Sequence, residues 1–313
     1  MDEGKISMLC LIDLSKCFDV IDHSKLLTKL QLHCIDTSWF AEYLAGHSQS
    51  VRLSDSHIST ARPINQGVFQ GSSLGPLLFT IFANDLSLHA DGAFVIQYAD
   101  DTQVLVSGQK SAISDMVDDM EACLASLDAY FLANGLKVNE SKFEVIPLGT
   151  RQNMRNMPSF TVQFRDKTLA TCTEAKNLGV TFDRYLSWEP HITQLSRKCV
   201  GILSAISHLR HYLPSGTLTT IVTALVFSHV RYCLSVYGNG SAKNMATLQK
   251  IINFAARVIS GKRKFHHISG VRESLGWLNS QDMFTHHTLT LLSCTRSGQR
   301  VNQSHLLASF AQT

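Results

Sequence analysis

The stretch QYADDTQV, Gln97–Val104, sets two aspartates side by side between two apolar runs. Val95, Ile96, Tyr98 and Ala99 lead in, and Val104, Leu105 and Val106 lead out, so both flanks read as strand. On a straight strand successive side chains point to opposite faces, and Asp100 and Asp101 would serve different surfaces. At a tight hairpin tip that alternation breaks and the carboxylates converge. A pair held there, joined by a third carboxylate from another strand, can hold two divalent ions about 3.5–4 Å apart. Such a pair of ions activates an attacking oxygen and steadies a leaving one in phosphoryl transfer. Asp13, at the end of the predicted strand KISMLCLIDL (5–14), is the natural third ligand. Taken alone, the Ala-Asp-Asp pattern also fits an acidic turn, and Asp13 also fits a cap for the turn after it.

Outward from this hairpin the chain alternates between strand and helix signals. DHSKLLTKLQL (22–32) has helical apolar spacing after an Asp cap, another helix is predicted over 37–46, and SVRLSDSHISTARPIN alternates like an exposed hairpin. GSSLGPLLFTIFANDLSLHA opens with Gly, Ser and an early Pro and then runs apolar, the pattern of a largely buried helix. SAISDMVDDMEACLASLDAYFLANG is amphipathic with Gly135 at its C-terminal cap. Short strands are predicted near 142–148, 160–164 and 177–182. Beyond Trp188 the pattern becomes helical, over 189–212, 215–233, 242–260 and 281–295, with breaks at Pro214, Gly238, Gly240 and Gly261. The fold class is therefore α+β, divided near residue 188: mixed α+β over 1–188, mostly helical over 189–313.

The 313 residues, 44% hydrophobic and 17% charged, are enough for one large or two modest globular domains. The longest apolar stretch, TIVTALVFSHV (220–230), is too short for a membrane span and reads as a buried helix. MDEGKISMLC carries acidic residues where a signal peptide carries basic ones, which points to an intracellular protein of nucleus or cytoplasm rather than a secreted one. The eight cysteines are scattered with no C-x-x-C pair, so neither a zinc site nor a disulfide framework is expected. The net charge of +3 hides a split. Residues 1–188 hold 15 Lys/Arg against 22 Asp/Glu, and residues 189–313 hold 13 against 3. An acidic part joined to a basic part implies a carboxylate site together with a surface for polyanions, or otherwise a solvated basic helical face.

Four segments then occur in a telling order: LIDLSKCFDVIDH, QGVFQGSSLGPLLFTIFANDL, YADDTQVL and GLKVNESKFEVI. Together they resemble the palm motifs of reverse transcriptases, specifically those of non-long-terminal-repeat (LINE-type) retrotransposons. NLGVTFDRYLSWEPHI, LQKIINFAARVISGKRKFHHIS and LGWL resemble the segments that follow the palm in that family, so the likeness covers nearly the whole chain. It implies a polymerase palm, an antiparallel sheet with helices on one face, with partial fingers and a primer-grip hairpin over 1–188. A basic, thumb-like helical region would follow over 189–313.

The resemblance also implies roles. Asp13, Asp100 and Asp101 correspond to the carboxylates that bind two Mg²⁺ ions, with Mn²⁺ as a substitute. Phe18 corresponds to an aromatic steric gate against the ribose 2′-hydroxyl, although core packing suits it as well. Gln70 and Gly71 match the nucleotide-side turn, where a glycine lets a ligand approach the backbone, although a plain helix-start turn fits them too. Lys142 matches a lysine that steadies the departing pyrophosphate, against the alternative of a surface lysine. GVTFDRYLSW (179–188) resembles the hairpin that holds the primer end, and Arg257, Lys262, Arg263 and Lys264 form a cluster suited to backbone phosphates. Asp19 and Asp22 read as cap and surface residues, and the His266–His267 and His286–His287 pairs as surface or phosphate-facing.

The implied activity is RNA-directed DNA polymerisation on an RNA template from a DNA primer, with deoxynucleoside triphosphates as substrates. The chain departs from the family at Phe69, where Pro is usual, at Cys17, where Ala is usual, and at His47, often an Arg. The family's fingers and endonuclease would lie upstream of residue 1, which implies an N-terminally truncated copy or a gene model that begins inside one. The alternative to a polymerase is therefore a catalytically inactive remnant that at most binds nucleic acid. A two-metal nuclease would also use paired carboxylates, but does not call for the Gln-Gly turn.

Overall fold

The computed structural model describes residues 4–55 and 57–296. Contacts divide the chain into two compact units, one ending at Leu178 and one starting at Gly179, ahead of the composition change at Trp188. The reason for the earlier break is local: strand Val180–Asp183 packs on the helix Glu189–Leu209 and belongs to the helical unit.

The first unit is built on a four-stranded antiparallel sheet in the order Glu144–Leu148, Ile6–Ile12, Asp101–Gly108, Phe94–Tyr98. On the central strand Ile6, Met8, Cys10 and Ile12 are buried, while Ser7, Leu9 and Leu11 are half-exposed on the other face. That period of two is the signature of a sheet with one covered face. The cover is the helix Ile113–Ala133, whose Met116, Met120, Cys123, Leu124 and Leu127 recur at helical spacing and are all buried. Each such side chain contributes about 1.5–3 kcal/mol through burial, so the sheet's helical face is strongly specified. Gly135, with φ of 74°, ends this helix in the left-handed conformation. Strand Glu144–Leu148 lies at the edge of the sheet yet Val145 to Leu148 are all buried. The following hairpin, Thr161–Phe164 with Lys167–Ala170, and a bridge between Val145 and Thr171 cover that edge.

The remaining predicted elements also form. Asp22 caps helix His23–Leu32 by accepting from the Lys25 amide at 3.0 Å. Gly75–Phe82 is the Pro-initiated helix, continued by 3₁₀ turns over Asn84–His89, with Leu78, Phe79, Phe82 and Leu86 buried. Residues 48–63 form exposed short strand pairs.

In the second unit the helices Glu189–Leu209, Ser215–Val222, Ala242–Ser260 and Ser280–Arg296 gather around Leu203, Val222, Phe227, Tyr237, Leu248 and Ile252. The apolar stretch 220–230 is buried as expected, but a π-helical turn over Thr223–Phe227 interrupts it. A short helix, Ser269–Ser274, went unpredicted. Among the described residues no helix is long and apolar enough to cross a membrane, and all eight cysteines are free.

Candidate functional site

Tyr98 pairs with Asp101, so the loop between the two strands is only Ala99 and Asp100. Ala99 takes φ of 52°, a left-handed conformation that costs a residue with a Cβ roughly 1–2 kcal/mol. Two-residue hairpins call for this sign of φ, because the turn must match the right-handed strand twist. Asp100 therefore sits in the turn and Asp101 begins the returning strand. The register carries the argument to Asp13. Ile12 faces Thr102 across the ladder, and both are buried on the helix side. Asp13 follows Ile12 and Asp101 precedes Thr102, so alternation turns both carboxylates to the other face at the same end of the sheet.

The charges feel one another. Asp101's carboxyl is raised above its ordinary value, first by burial, then by Asp100 and Asp13, with Lys142 opposing. Asp13 is held by a turn brought to it through the strand pair Leu14–Ser15 with Lys137–Val138. The Asn139 amide donates to the Asp13 carbonyl at 2.8 Å. Asp13 Oδ2 accepts from Asn139 Nδ2 at 3.2 Å and from Lys142 Nζ at 3.1 Å. Sequence reasoning singled out Lys142 but missed Asn139, whose only signal was its place inside GLKVNESKFEVI. Among the described residues no three His, Cys, Asp or Glu side chains stand together at ligand spacing. The three carboxylates nevertheless offer only hard oxygen donors around under-neutralised negative charge, which suits a divalent cation such as Mg²⁺ or Mn²⁺.

The 3₁₀ turn Cys17–Asp19 carries Phe18, the next of the predicted site residues. The buried Cys17 thiol is pushed up to about 12, first by burial and then by the charge of Asp100. Phe18 is half-buried, its ring 4.7 Å from that of Phe79. The segment Gly67–Gly71 is stitched to this turn: Val68 N donates to Phe18 O at 2.7 Å and Gly67 N to Ile21 O at 2.7 Å. Gln70 Nε2 donates to Asp19 Oδ1 at 2.7 Å, so Asp19 is a partner of Gln70. Gly67 is required twice over, by φ of 87° and because a Cβ there would lie 2.8 Å from the Asp19 carbonyl oxygen. Gly71, with φ of 82°, has open space where a side chain would stand. His47 and Phe69 pack on each other, ring centroids 4.2 Å apart.

In the helical unit the 179–188 segment is organised by a residue the sequence did not single out. The buried carboxylate of Asp183 accepts from Ser187 N at 2.8 Å, Ser187 Oγ at 3.0 Å, Trp188 N at 3.2 Å and Tyr185 N at 3.3 Å. Arg257, Lys262 and Lys264 line one cleft, whereas Arg263, exposed in the same loop, is not among its lining residues. His287, expected at the surface or facing phosphate, is buried, and burial together with Arg231 holds its imidazole down at about 4.

Residues 1–182 match the family described as "Reverse transcriptase (RNA-dependent DNA polymerase)". The chain is 25% identical over 319 aligned positions to "Probable RNA-directed DNA polymerase from transposon BS" of Drosophila melanogaster, covering 97% of this chain and 34% of that protein. It is 25% identical over 278 positions to "RNA-directed DNA polymerase from mobile element jockey" of the same fly, covering 83% of this chain and 29% of that one. The chain thus spans about a third of the length of the curated relatives it matches. Among solved structures, apo telomerase from Candida tropicalis aligns over 97% of this chain and 53% of its own, at 10% identity and a TM-score of 0.41.

Proposed function

Because the chain belongs to the reverse transcriptase family, of the non-long-terminal-repeat type, we propose that it is an RNA-directed DNA polymerase domain. In this reading a primer 3′-hydroxyl is joined to a deoxynucleoside triphosphate opposite an RNA template, at the sheet end that carries Asp13, Asp100 and Asp101. The observation that supports it best is the two-residue hairpin, whose Asp101 carboxyl is raised by burial and then by the charges of Asp100 and Asp13.

The family generally uses divalent ions, and Asp13, Asp100 and Asp101 would hold them here. Bound at that position, Mg²⁺ or Mn²⁺ supplies Lewis acidity toward the phosphoryl oxygens. The chain's own groups do the positioning. Asn139 fixes Asp13 through backbone and side chain at once. Lys142 neutralises Asp13 through an ion pair in which the lysine side chain is 62% exposed. A pair so open to solvent is worth little, so the ammonium is free to turn to departing pyrophosphate and present a proton from Nζ. Phe18, braced by Phe79, gives the sugar pocket a rigid floor, and the Gln70–Gly71 turn offers backbone and amide groups to the incoming nucleotide. The cluster Arg257, Lys262, Arg263 and Lys264 would neutralise backbone phosphates.

A second reading, a nucleic-acid-binding remnant without catalysis, is favoured by two observations: among the described residues the carboxylates are not gathered at ligand spacing, and Asp13 is engaged by Lys142. Primer extension decides between them. Purified chain, an RNA template with a labelled DNA primer, dNTPs and Mg²⁺ or Mn²⁺ are expected to yield extended DNA, abolished in Asp100→Asn. No extension in either metal would overturn the polymerase reading, and shortening of the template RNA would point to a nuclease.

A further inference from the structure

Asn139 and Lys142 reach Asp13 from one short turn, the 3₁₀ segment Glu140–Lys142 with Asn139 at its head. Inside it, Lys142 N donates to Asn139 O at 3.0 Å and Ser141 Oγ donates to Asn139 Oδ1 at 2.7 Å. The second bond occupies the amide oxygen and so presents Nδ2 to Asp13. Where the turn stands, and therefore where both groups stand, is set from outside it.

The hairpin Thr161–Phe164 with Lys167–Ala170 supplies that hold. Phe164 pairs with Lys167, so the loop is Arg165 and Asp166 alone. Arg165 takes φ of 52°, a left-handed position that glycine or asparagine occupies at less cost. Backbone strain kept at a tip points to the side chain carried there. The Arg165 guanidinium grips two elements at once. Nε donates to Asp128 Oδ2 at 2.8 Å and Nη2 to Asp128 Oδ1, a fork on the long helix Ile113–Ala133. Nη1 donates to Glu140 Oε1 at 2.6 Å, on the turn. Lys167 Nζ takes the other oxygen of Glu140 at 2.8 Å. Beside these charges the rings of Phe164 and Phe143 stack with centroids 4.6 Å apart, and Phe143 directly follows Lys142. A lone exposed ion pair holds little, but a forked arginine within a network of charges has a defined geometry. The contacts thus run from the helix through Arg165 and Glu140 to Asn139 and Lys142, and end on Asp13.

We propose that Arg165, with Lys167, is a positioning residue of the transfer site: it locks the turn through Glu140, so that Asn139 holds the Asp13 carboxylate and Lys142 stays within reach of departing pyrophosphate. Arg165 itself touches neither substrate nor ion. A displacement of about 1 Å at a reacting group can cost about a hundredfold in rate, so a clamp of this kind is felt in kcat rather than in nucleotide affinity. The proposal rests on the polymerase reading and adds a part to it.

Primer extension by the full chain, with RNA template, DNA primer, dNTPs and Mg²⁺, tests it. Arg165→Asn is the informative variant, because asparagine suits the left-handed turn. It is expected to lower kcat about tenfold with KM for dNTP within about twofold, while the melting temperature stays within about 2 °C. Glu140→Gln, which leaves the hairpin tip unaltered, is expected to show the same split. Glu121 fastens the same hairpin to the same helix, accepting from Gln163 N at 2.7 Å, about two helical turns before Asp128. Glu121→Ala is expected to leave kcat within about twofold. In a Lys142→Gln background the loss from Arg165→Asn is expected to shrink below about threefold, as for two residues that act along one path. No extension by the unaltered chain would fail the polymerase reading and this role with it. Extension by the unaltered chain with kcat undiminished in Arg165→Asn, an equal loss in Glu121→Ala, or the full loss persisting in the Lys142→Gln background would overturn the positioning role alone.

Discussion

Asp101 shows how a single side chain can work against the fold that carries it. Its carboxyl is raised by burial and by Asp100 and Asp13, so the fold favours its neutral form. The stability gained from that neutral form is fully present below the ordinary aspartate value and is lost as pH rises through the raised one. In chelator at neutral pH, Asp101→Asn is therefore expected to raise the melting temperature, while reducing nucleotide incorporation by at least two orders of magnitude; calorimetry and primer extension read the two effects. For the same reason incorporation by the unaltered chain is expected to rise with pH as Asp101 loses its proton, at a pH above that of an ordinary aspartate. Phe18 belongs to this scale too. With its ring braced at 4.7 Å from Phe79, Phe18→Val is expected to open the sugar pocket and relax discrimination against ribonucleoside triphosphates by about tenfold or more, measured as the ratio of kcat/KM values. The hairpin that carries Asp100 and Asp101 was legible from the strand runs on either side of it, whereas the role read for the pair rested on the four ordered motifs, since adjacent charges alone also fit an acidic turn. Asn139 and Asp183 were not legible, because a polar residue that serves one carboxylate or a few backbone amides leaves no periodic trace.

At the scale of elements, the site depends on turns more than on the helices and strands that frame them. The segment Gly67–Gly71 is placed by its bonds to residues 18–21, and only glycine at 67 allows that approach. Gly67→Ala, with its Cβ driven against the Asp19 carbonyl in a left-handed conformation, is expected to destabilise the first unit by about 1–3 kcal/mol. Urea unfolding measures the loss, and release of Gln70 from Asp19 should raise KM for nucleotide. Sequence periodicity located the inner strands Ile6–Ile12 and Asp101–Gly108 and the long helix Ile113–Ala133 well, since each buries one face at a fixed period. It failed where the pattern is broken by geometry rather than by composition. The π turn over Thr223–Phe227 reads as plain helix, and helix Ser269–Ser274 is too short to show a period.

For the molecule as a whole, two cores and two charge characters divide the work. The sheet unit gathers carboxylates, the helical unit gathers cations, and each has its own closed set of buried residues. Leu248→Ala, a deletion in the second core, is expected to cost about 2–5 kcal/mol there. Hydrogen exchange should then accelerate over the helices after residue 189 and stay unchanged over Ile6–Ile12 and Asp101–Gly108. Acceleration throughout would mean that the units unfold together. The family likeness was legible because four ordered motifs leave little room for coincidence, whereas the basic cleft of the helical unit was legible only in part, since Arg210 and Lys250, which also line it, are distant in sequence from the basic run. The central claim is that three carboxylates, brought to one end of one sheet, share divalent ions. Mn²⁺ binding to the full chain, followed by electron paramagnetic resonance, tests it most directly, with the unaltered protein beside Asp13→Asn, Asp100→Asn and Asp101→Asn. Uptake by the unaltered chain, weakened at least tenfold by each substitution in protein that remains folded, is the expected result; no uptake, or uptake indifferent to all three, would contradict it.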